Sequence, residues 1–587
     1  MSAKKRIGVK DRSKVLAMRS LNMTKKIIAN NKHSRKAAIK FKKVLLTTIG
    51  DGQPKEIYNL YSFYPTIEEY YYQTKDICEN DPLISILLPT YNTPEIYLRE
   101  CIESIIVQSY ANWELCISDD NSTDKNVLKT IKEYQQKDNR IKLVSRKTNG
   151  HISEATNSAL EIANGKFVAL MDHDDVLWPN ALYENIQIIR DNKKVDFIYS
   201  DEDKIDGTGK IHSYPFLKPD FSPEFLESCN YITHFSCIRT DVIKKVGGFR
   251  KGYEGAQDWD LFIRIGEITN NIVHIPKLLY SWRIHENSTA SNTDAKPYVY
   301  EAQKKLLNDH LARLKLQGVV ETGIITQHRT INYFVAEDVI FTLVIKYSSI
   351  QYTKKLIESI NKYPAGLKFD IIFVFKDDLD KTEWSEILYL LPNKSSQKII
   401  LNPKNNWYKN VAINSNNEYI IFIDDKLEVH SDDWAKRLIA DLSLVSIGIV
   451  SPVILDHTAQ NVASAGIGVG YGQKGLVDML SGMPFNDPHY TRGLYAKSRR
   501  NVSVVNPAMF STTKTVFKKT VEDDNFFEIC LDLLGKGYRN IYNPYSKVIL
   551  QESVSIDINE GSTCEIEQDK YLNPNFNHKN QNMEVRL

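Results

Sequence analysis

From residue 83 onward the chain alternates short apolar runs with amphipathic stretches of helical length, and from Val339 it does so a second time. That alternation constrains the fold more than any other feature. Strands separated by helices build a mostly parallel sheet with helices on both faces, because each parallel crossover needs a long return. The first series predicts strands at 84–88, 113–118, 141–144, 167–171 and 197–199, and helices at 94–109, 124–136, 153–163 and 179–190. The second predicts strands at 341–346, 369–375, 398–401 and 419–423, and a helix at 352–360. The stretch from Asn417 to Asp424 echoes the one from Gly165 to Asp172, so the second series reads as a diverged internal repeat.

Ligands of such sheets bind beyond the carboxyl ends of the strands. The acidic run Met171-Asp172-His173-Asp174-Asp175 stands at one such end, after the apolar residues 167–170. Three carboxylates so close repel one another, and a fold tolerates them where a hard divalent cation sits among them. Metal and carboxylates beside a sheet edge are one way to hold a diphosphate. The plainer reading of these residues is an acidic first turn for the helix after Pro179.

The 587 residues allow two or three domains. Net charge is only +2, but residues 1–43 carry fifteen Lys or Arg against the single acid Asp11. With Val15, Leu16, Met18, Leu21, Ile27 and Ile28 interspersed, this arm reads either as an amphipathic helix on an anionic membrane face or as a solvated basic arm. Its one aromatic, Phe41, offers no stacking platform, so nucleic acid is not an expected partner. No apolar run reaches the roughly 18–20 residues of a membrane span, and the start lacks a signal-peptide core. Seven cysteines without paired spacing read as reduced thiols. The expected location is cytoplasmic, peripheral to the inner face of the membrane. The expected division is a basic arm at 1–50, a helical lead-in at 51–80, domains at 81–325 and 335–560, and an Asn-rich tail at 561–587.

Six motifs in order over about 200 residues then carry a resemblance. They are Leu88-Pro89-Thr90-Tyr91-Asn92; Asp119-Asp120-Asn121-Ser122-Thr123-Asp124; Asn149-Gly150 with Ala155-Thr156-Asn157; Asp172-His173-Asp174-Asp175; Gln257-Asp258-Trp259-Asp260; and Trp282-Arg283-Ile284-His285. In these the first repeat resembles the inverting family 2 glycosyltransferases of GT-A fold. The second repeat and the tail segment from Tyr571 to Phe576 are similar to tandem-domain members linked to bacterial surface polysaccharides. Thr156 stands where the family commonly has Arg.

The resemblance implies an α/β fold with a GT-A sheet followed by a second, diverged one. It implies transfer of a hexose or deoxyhexose from a UDP- or dTDP-sugar to a growing polysaccharide or an undecaprenyl-linked glycan, beside other glycosyltransferases of the same pathway. Pro89, Thr90, Tyr91, Asp119, Asp120, Asn149 and Asp172 would bind the nucleotide, and a carboxylate at Asp119 or Asp120 can accept from N3–H of a pyrimidine. Asp174 and His285 would hold Mn²⁺ or Mg²⁺. Asp258 would be the general base, and one base suffices because the metal carries the leaving diphosphate's charge. Asp260 lies two residues on, on another helical face. Trp259 is either an acceptor contact or a core residue. In the second repeat Lys426 falls at the position of Asp174, and a lysine there repels a cation.

Three other readings stay open at this stage: a bifunctional polymerase with both repeats active, a non-catalytic sugar-binding or scaffold subunit, and a nucleotidyltransferase. Gly470-Tyr471-Gly472-Gln473-Lys474-Gly475 fits a dinucleotide-loop pattern but lacks a strand-then-helix setting. Cys229 and Cys237 lack the second pair that zinc needs.

Overall fold

β1 (Ile84–Thr90) is the strand on which the first unit is built, and every one of its residues is buried. It pairs in parallel with β2 (Trp113–Asp119), from Ile84↔Trp113 to Thr90↔Asp119, and with β4 (Phe167–Leu170), ending at Leu87↔Leu170. β3 (Ile141–Ser145) extends the parallel block beyond β2. Runs without polar alternation, such as Ile84-Ser85-Ile86-Leu87-Leu88, are what a strand covered on both faces requires. One cover is α2 (Glu95–Ile106), whose Leu98, Ile102 and Ile105 are buried in the same core as Ile84, Ile86 and Leu88. Ahead of the sheet lies α1 (Ile67–Gln73), begun by a capping box in which Glu69 N–H donates to Thr66 Oγ1 at 3.1 Å and Thr66 N–H to Glu69 Oε2 at 2.6 Å. The computed structural model describes residues 64–285, 297–375, 381–391, 397–401, 406–471, 475–523, 525–552, 569–577 and 581–583. The basic arm expected at 1–50 lies outside them.

The remaining strands are β5 (Val176–Leu177), β6 (Phe197–Asp206), β7 (His212–Phe216), β8 (Ser236–Arg239) and β9 (Ile272–Ile284). The sheet runs β3-β2-β1-β4-β8-β6-β9-β5, with β7 on β6. β8 is antiparallel to both β4 and β6, whereas β6 and β9 are parallel. The sheet is therefore mixed: the expected parallel order holds for β3-β2-β1-β4 and for β6-β9. β6 also runs well past the expected end at 199, because its acids have partners distant in sequence. Asp201 meets His274 at 2.8 Å and Asp203 meets His212 at 2.6 Å. A buried carboxylate so paired belongs in a strand; the sequence alone reads it as a loop.

The second unit comprises Leu217–Tyr231 and the chain from Pro297. From Pro297 it begins with the helix Pro297–Leu314 and the hairpin β10 (Gly318–Thr322) and β11 (Arg329–Tyr333), so it starts ahead of the boundary expected near 325–335. Its main sheet is formed by β12 (Ile340–Lys346), β13 (Lys368–Phe375), β14 (Gln397–Leu401), β15 (Tyr419–Asp424), β16 (Leu427–Val429), β17 (Ile447–Leu455), β18 (Val462–Ser464), β21 (Arg500–Val502), β22 (Met509–Thr513) and β23 (Arg539–Leu550). The order is β14-β13-β12-β15-β22-β17-β23-β16. Place by place this repeats the first sheet: a parallel block, one antiparallel strand, a parallel pair and a short antiparallel edge. β19 (Ile467–Val469) and β20 (Leu476–Asp478) form a separate antiparallel pair, and Gly470 and Gly475 close its hairpin by a 2.8 Å backbone bond. Gly470 and Gly475 thus belong to an antiparallel strand pair and not to a strand-then-helix loop, and 472–474 lie outside the described residues.

Leu217–Tyr231 is fixed within the second unit by buried charge. Glu227 accepts from Arg499 Nη1 at 2.6 Å and from Tyr333 O–H at 2.8 Å. Arg499 Nε also reaches Asp441 Oδ1 at 2.8 Å. Burial pushes the Glu227 carboxyl up, but Arg499 and His310 outweigh it and hold it below the ordinary range. Among the described residues the cysteines are free thiols, Cys229 and Cys237 buried, and no helix is long and apolar enough to cross a membrane.

Removing one partner of a buried ionic network strands the others. Arg499→Ala is expected to lower the unfolding free energy by about 3–5 kcal/mol, read as an early transition in urea. A variant that unfolds with the wild-type midpoint would show that the network contributes nothing net.

Candidate active site

The carboxyl ends of β1, β2 and β4 lie side by side, so the loops after them form one surface. Asn92 ties the first two loops together from a left-handed backbone, φ +48°. Its Oδ1 accepts from Thr123 N–H at 2.8 Å and Asp124 N–H at 3.1 Å, and its own N–H donates to Ser122 Oγ at 2.9 Å. Asp124 then caps α3 (Lys125–Lys137).

The two adjacent aspartates after β2 have different work. Asp120 is saturated: its Oδ1 accepts from Arg146 Nε at 2.8 Å and Gly150 N–H at 2.9 Å, and its carbonyl accepts from Asn149 Nδ2 at 3.2 Å. Asp119 is 1% exposed, and its Oδ2 accepts from Ser122 N–H at 3.2 Å. Its Oδ1 is buried with no partner. A buried acceptor left open carries a desolvation cost that a ligand N–H would relieve. Thr90 is buried at the end of β1 and Tyr91 is 45% exposed beyond it. Asn149 precedes α4 (His151–Glu161). Within that helix Thr156 donates to the Ile152 carbonyl at 2.7 Å, so it faces its own backbone.

After β4 the acidic run divides as well. Asp174 Oδ2 meets His285 Nε2 at 2.8 Å, and His173 lies 3.8 Å from its other oxygen. Burial pushes Asp174 up, but His173 and His285 prevail and hold it below the usual carboxylate range. Asp175 is fully buried. Burial, then the charges of Asp174 and Asp172, push it well above that range, although Arg283 N–H and Tyr280 O–H both donate to it. Side-chain donor atoms of Asp172, Asp175 and His234 come within 4.8 Å of one another. Two carboxylates and an imidazole are a donor set for a divalent cation, and a buried acid pushed up by like charges is what such a cation relieves. Asp174 and His285, the pair expected from sequence, therefore stand as one donor pair, and the convergent trio adds Asp175 and His234. Sequence reasoning gave His234 no role. The resemblance puts the segment 229–234 near the sugar pocket without a role for any of its residues, and the antiparallel insertion of β8 beside β4 is what brings His234 to the acids.

The helix Gln257–Gly266 settles which acid of Gln257-Asp258-Trp259-Asp260 is structural. Asp260 is buried and ion-paired with Arg264 at 2.8 Å and with Arg250. Asp258 lies in the first turn and is partly exposed. Trp259 is 3% exposed, which makes it a core ring and leaves no open face for an acceptor sugar.

The second unit fills the corresponding places with its own side chains. Asp424 ends β15 as Asp172 follows β4, and Lys346 Nζ lies 3.5 Å from it. Asp425 accepts from Ser348 and Ser349 N–H at 2.7 and 3.1 Å and from Thr353 Oγ1 at 2.8 Å. Gln551 follows β23 as His285 follows β9, and donates to the Asp425 carbonyl at 2.9 Å.

Residues 85–247 match the family described as glycosyl transferase family 2. A glycosyltransferase of Methanocaldococcus jannaschii, itself uncharacterized, is 33% identical over 38% of this chain and 79% of its own length. An O-antigen biosynthesis protein of Myxococcus xanthus is 28% identical over 81% of this chain and 38% of its own length. An uncharacterized protein of Sinorhizobium fredii is 33% identical over 81% of this chain and 54% of its own length. The chain thus spans about half the length, or less, of the relatives that match most of it.

The roles of Asp258 and Asp260 separate by stability. Asp260→Asn leaves Arg250 and Arg264 facing a neutral amide in a buried place, and should destabilise the protein by about 3 kcal/mol or more. Asp258→Asn, at a partly exposed position in the first turn, should cost clearly less than that. Thermal melts of the two variants check this, and equal melts would contradict the division.

Proposed function

The chain belongs to glycosyl transferase family 2, and on that premise we propose that its first unit transfers a sugar, with inversion, from a UDP- or dTDP-sugar to a growing surface polysaccharide or its lipid-linked precursor. The observation that carries the reading is the shared surface after β1, β2 and β4, where the open Asp119 Oδ1 and the Asp172–Asp175–His234 cluster stand together. Similarity to an O-antigen biosynthesis protein supports a polysaccharide acceptor.

In this reading Asp119 Oδ1 accepts N3–H of the pyrimidine, and Thr90, Tyr91 and Asn149 frame the base and ribose. Asp120 acts indirectly, by pinning the turn at Asn149-Gly150. Asp172, Asp174 and Asp175 with His234 and His285 supply the ligands for Mn²⁺ or Mg²⁺. When bound, that cation offsets the charge of the departing nucleoside diphosphate. Asp258 takes the proton of the acceptor hydroxyl as its oxygen attacks the anomeric carbon on the face opposite the leaving oxygen. No carboxylic acid is needed for the leaving group, which sets this site apart from a hydrolase pair. The second unit, with Lys346 beside Asp424 and Asp425 saturated, has no room in this scheme for a second metal. That weighs against a bifunctional polymerase.

The direct test is release of nucleotide from UDP- and dTDP-sugars with Mn²⁺, with and without a lipid-linked acceptor. Metal-dependent turnover is expected, and full activity in excess EDTA would overturn the metal assignment. Asp258→Asn should lower kcat by about 10²–10⁴-fold while donor affinity stays near wild type.

The same reading places the enzyme at the inner leaflet, through its basic arm. Each Lys or Arg near an anionic surface contributes about 1 kcal/mol. Deleting residues 1–45 should therefore reduce binding to anionic vesicles yet preserve turnover of a soluble acceptor, and binding of the full chain should fall with salt. Equal vesicle binding by both proteins would remove the arm from the account.

A further inference from the structure

α3 (Lys125–Lys137) carries four lysines and the one acid Glu133. Its inner face is buried through Val127, Thr130, Ile131 and Tyr134. Lys125, Lys129 and Lys132 are exposed, and spacings of four and three residues put them in one row on the outer face. A groove of about 480 Å³ runs beside the row, lined also by the partly buried Leu128 and by Gln136.

The row is not balanced from within. Glu133 is taken, with Arg99 Nη2 at 2.9 Å from its Oε2. Among the described residues none of the three lysines has an ion-pair partner. Like charges three and four residues apart on a helix repel, so the row weakens the helix until an anion meets it. Solubility does not call for it either. Setting the basic arm's fifteen bases and one acid aside from the chain's 75 and 73 leaves 60 against 72, a net of −12. A basic row on a net-acidic body marks a local partner of opposite charge.

The row begins at the site. Asp124 caps α3 with its side chain and donates its N–H to Asn92 Oδ1 at 3.1 Å, so Lys125 follows directly on the loops at the carboxyl ends of β1 and β2. From there the row runs back along the sheet for about 10 Å, at 1.5 Å per residue.

We propose that Lys125, Lys129 and Lys132 form a docking face for anionic lipid headgroups, which holds the rim of the donor site at the bilayer surface. The inference rests on the lipid-linked acceptor reading above and deepens it. A basic arm can tether a chain to an anionic surface in any orientation, whereas a row on the folded unit selects one. Charge complementarity decides the partner: a leaflet offers a continuous anionic plane to an exposed helix face. Each lysine lays its methylene stem along the helix beside Leu128 while its ammonium meets phosphate.

The test is sedimentation of the full chain at low salt with phosphatidylglycerol vesicles, and with phosphatidylcholine vesicles as the neutral control. Lys125→Glu, Lys129→Glu and Lys132→Glu together should weaken partition into the anionic vesicles about tenfold or more, with circular dichroism unchanged. The same charge change at Lys193, Lys194 and Lys244, exposed elsewhere on the first unit, should alter partition far less. Turnover of a lipid-linked acceptor in vesicles should fall with partition, while turnover of a soluble acceptor stays at the wild-type rate. Should the triple Glu variant not fold, the triple Gln variant decides, with a smaller loss in the same direction. A folded row variant that partitions as wild type does, or a control variant that loses as much, overturns the proposal. Loss of binding to soluble polyglutamate with vesicle partition unchanged makes a soluble acidic polymer the occupant and overturns it too. Absence of sugar transfer by the wild type to either acceptor is the separate result that overturns the reading beneath the inference.

Discussion

Like charge at the end of β4 has to be balanced before anything else in the first unit can be stable. Asp172, Asp174 and Asp175 fall within four residues, and Asp175 is fully buried. Each is handled from a different direction. Asp174 is met by His285 at the end of β9, Asp175 by the Tyr280 hydroxyl and the Arg283 N–H, and Asp172 faces His234 ahead of β8. These partners come from the mixed half of the sheet, which explains why β8 and β9 stand where they do relative to the parallel block. The remaining imbalance, seen in the upward push on Asp175, is the kind that a divalent cation removes.

The second unit answers the same constraint with its own side chains. Its sheet repeats the strand order of the first, so the geometry for a site is inherited. Yet an ammonium from Lys346 stands beside Asp424, and Asp425 is wrapped by Ser348, Ser349 and Thr353. Charge that a ligand would have balanced is balanced internally. Stability and ligand binding compete for the same lone pairs here, and the two halves of one chain sit at opposite ends of that competition.

Much of this was legible in the sequence wherever the signal is local. Apolar runs between helical stretches located β1 to β4 and their repeats, because strands buried on both faces need unbroken apolar sequence. The motif residues at strand ends could be read for the same reason: Asp119, Asp172 and Asp174 lie directly after such runs. What stayed hidden depends on partners far along the chain. β6 looks like a loop until His274 and His212 are placed against Asp201 and Asp203. The segment 229–234 was expected near the sugar pocket, but that His234 meets Asp172 and Asp175 follows only from strand order. The allotment of Leu217–Tyr231 to the second unit rests on Glu227 meeting Arg499, 272 residues away. Between Asp119 and Asp120 the sequence offers no distinction, and hydrogen-bond saturation makes one.

The central claim is that one chain holds one working donor site, in the first unit. Equilibrium dialysis of UDP against the full chain at saturating Mn²⁺ measures it most directly. One UDP per chain, lost when Asp119→Ala removes the open acceptor, is the result this account requires. Two equivalents of UDP per chain, or one that persists in Asp119→Ala, would contradict it.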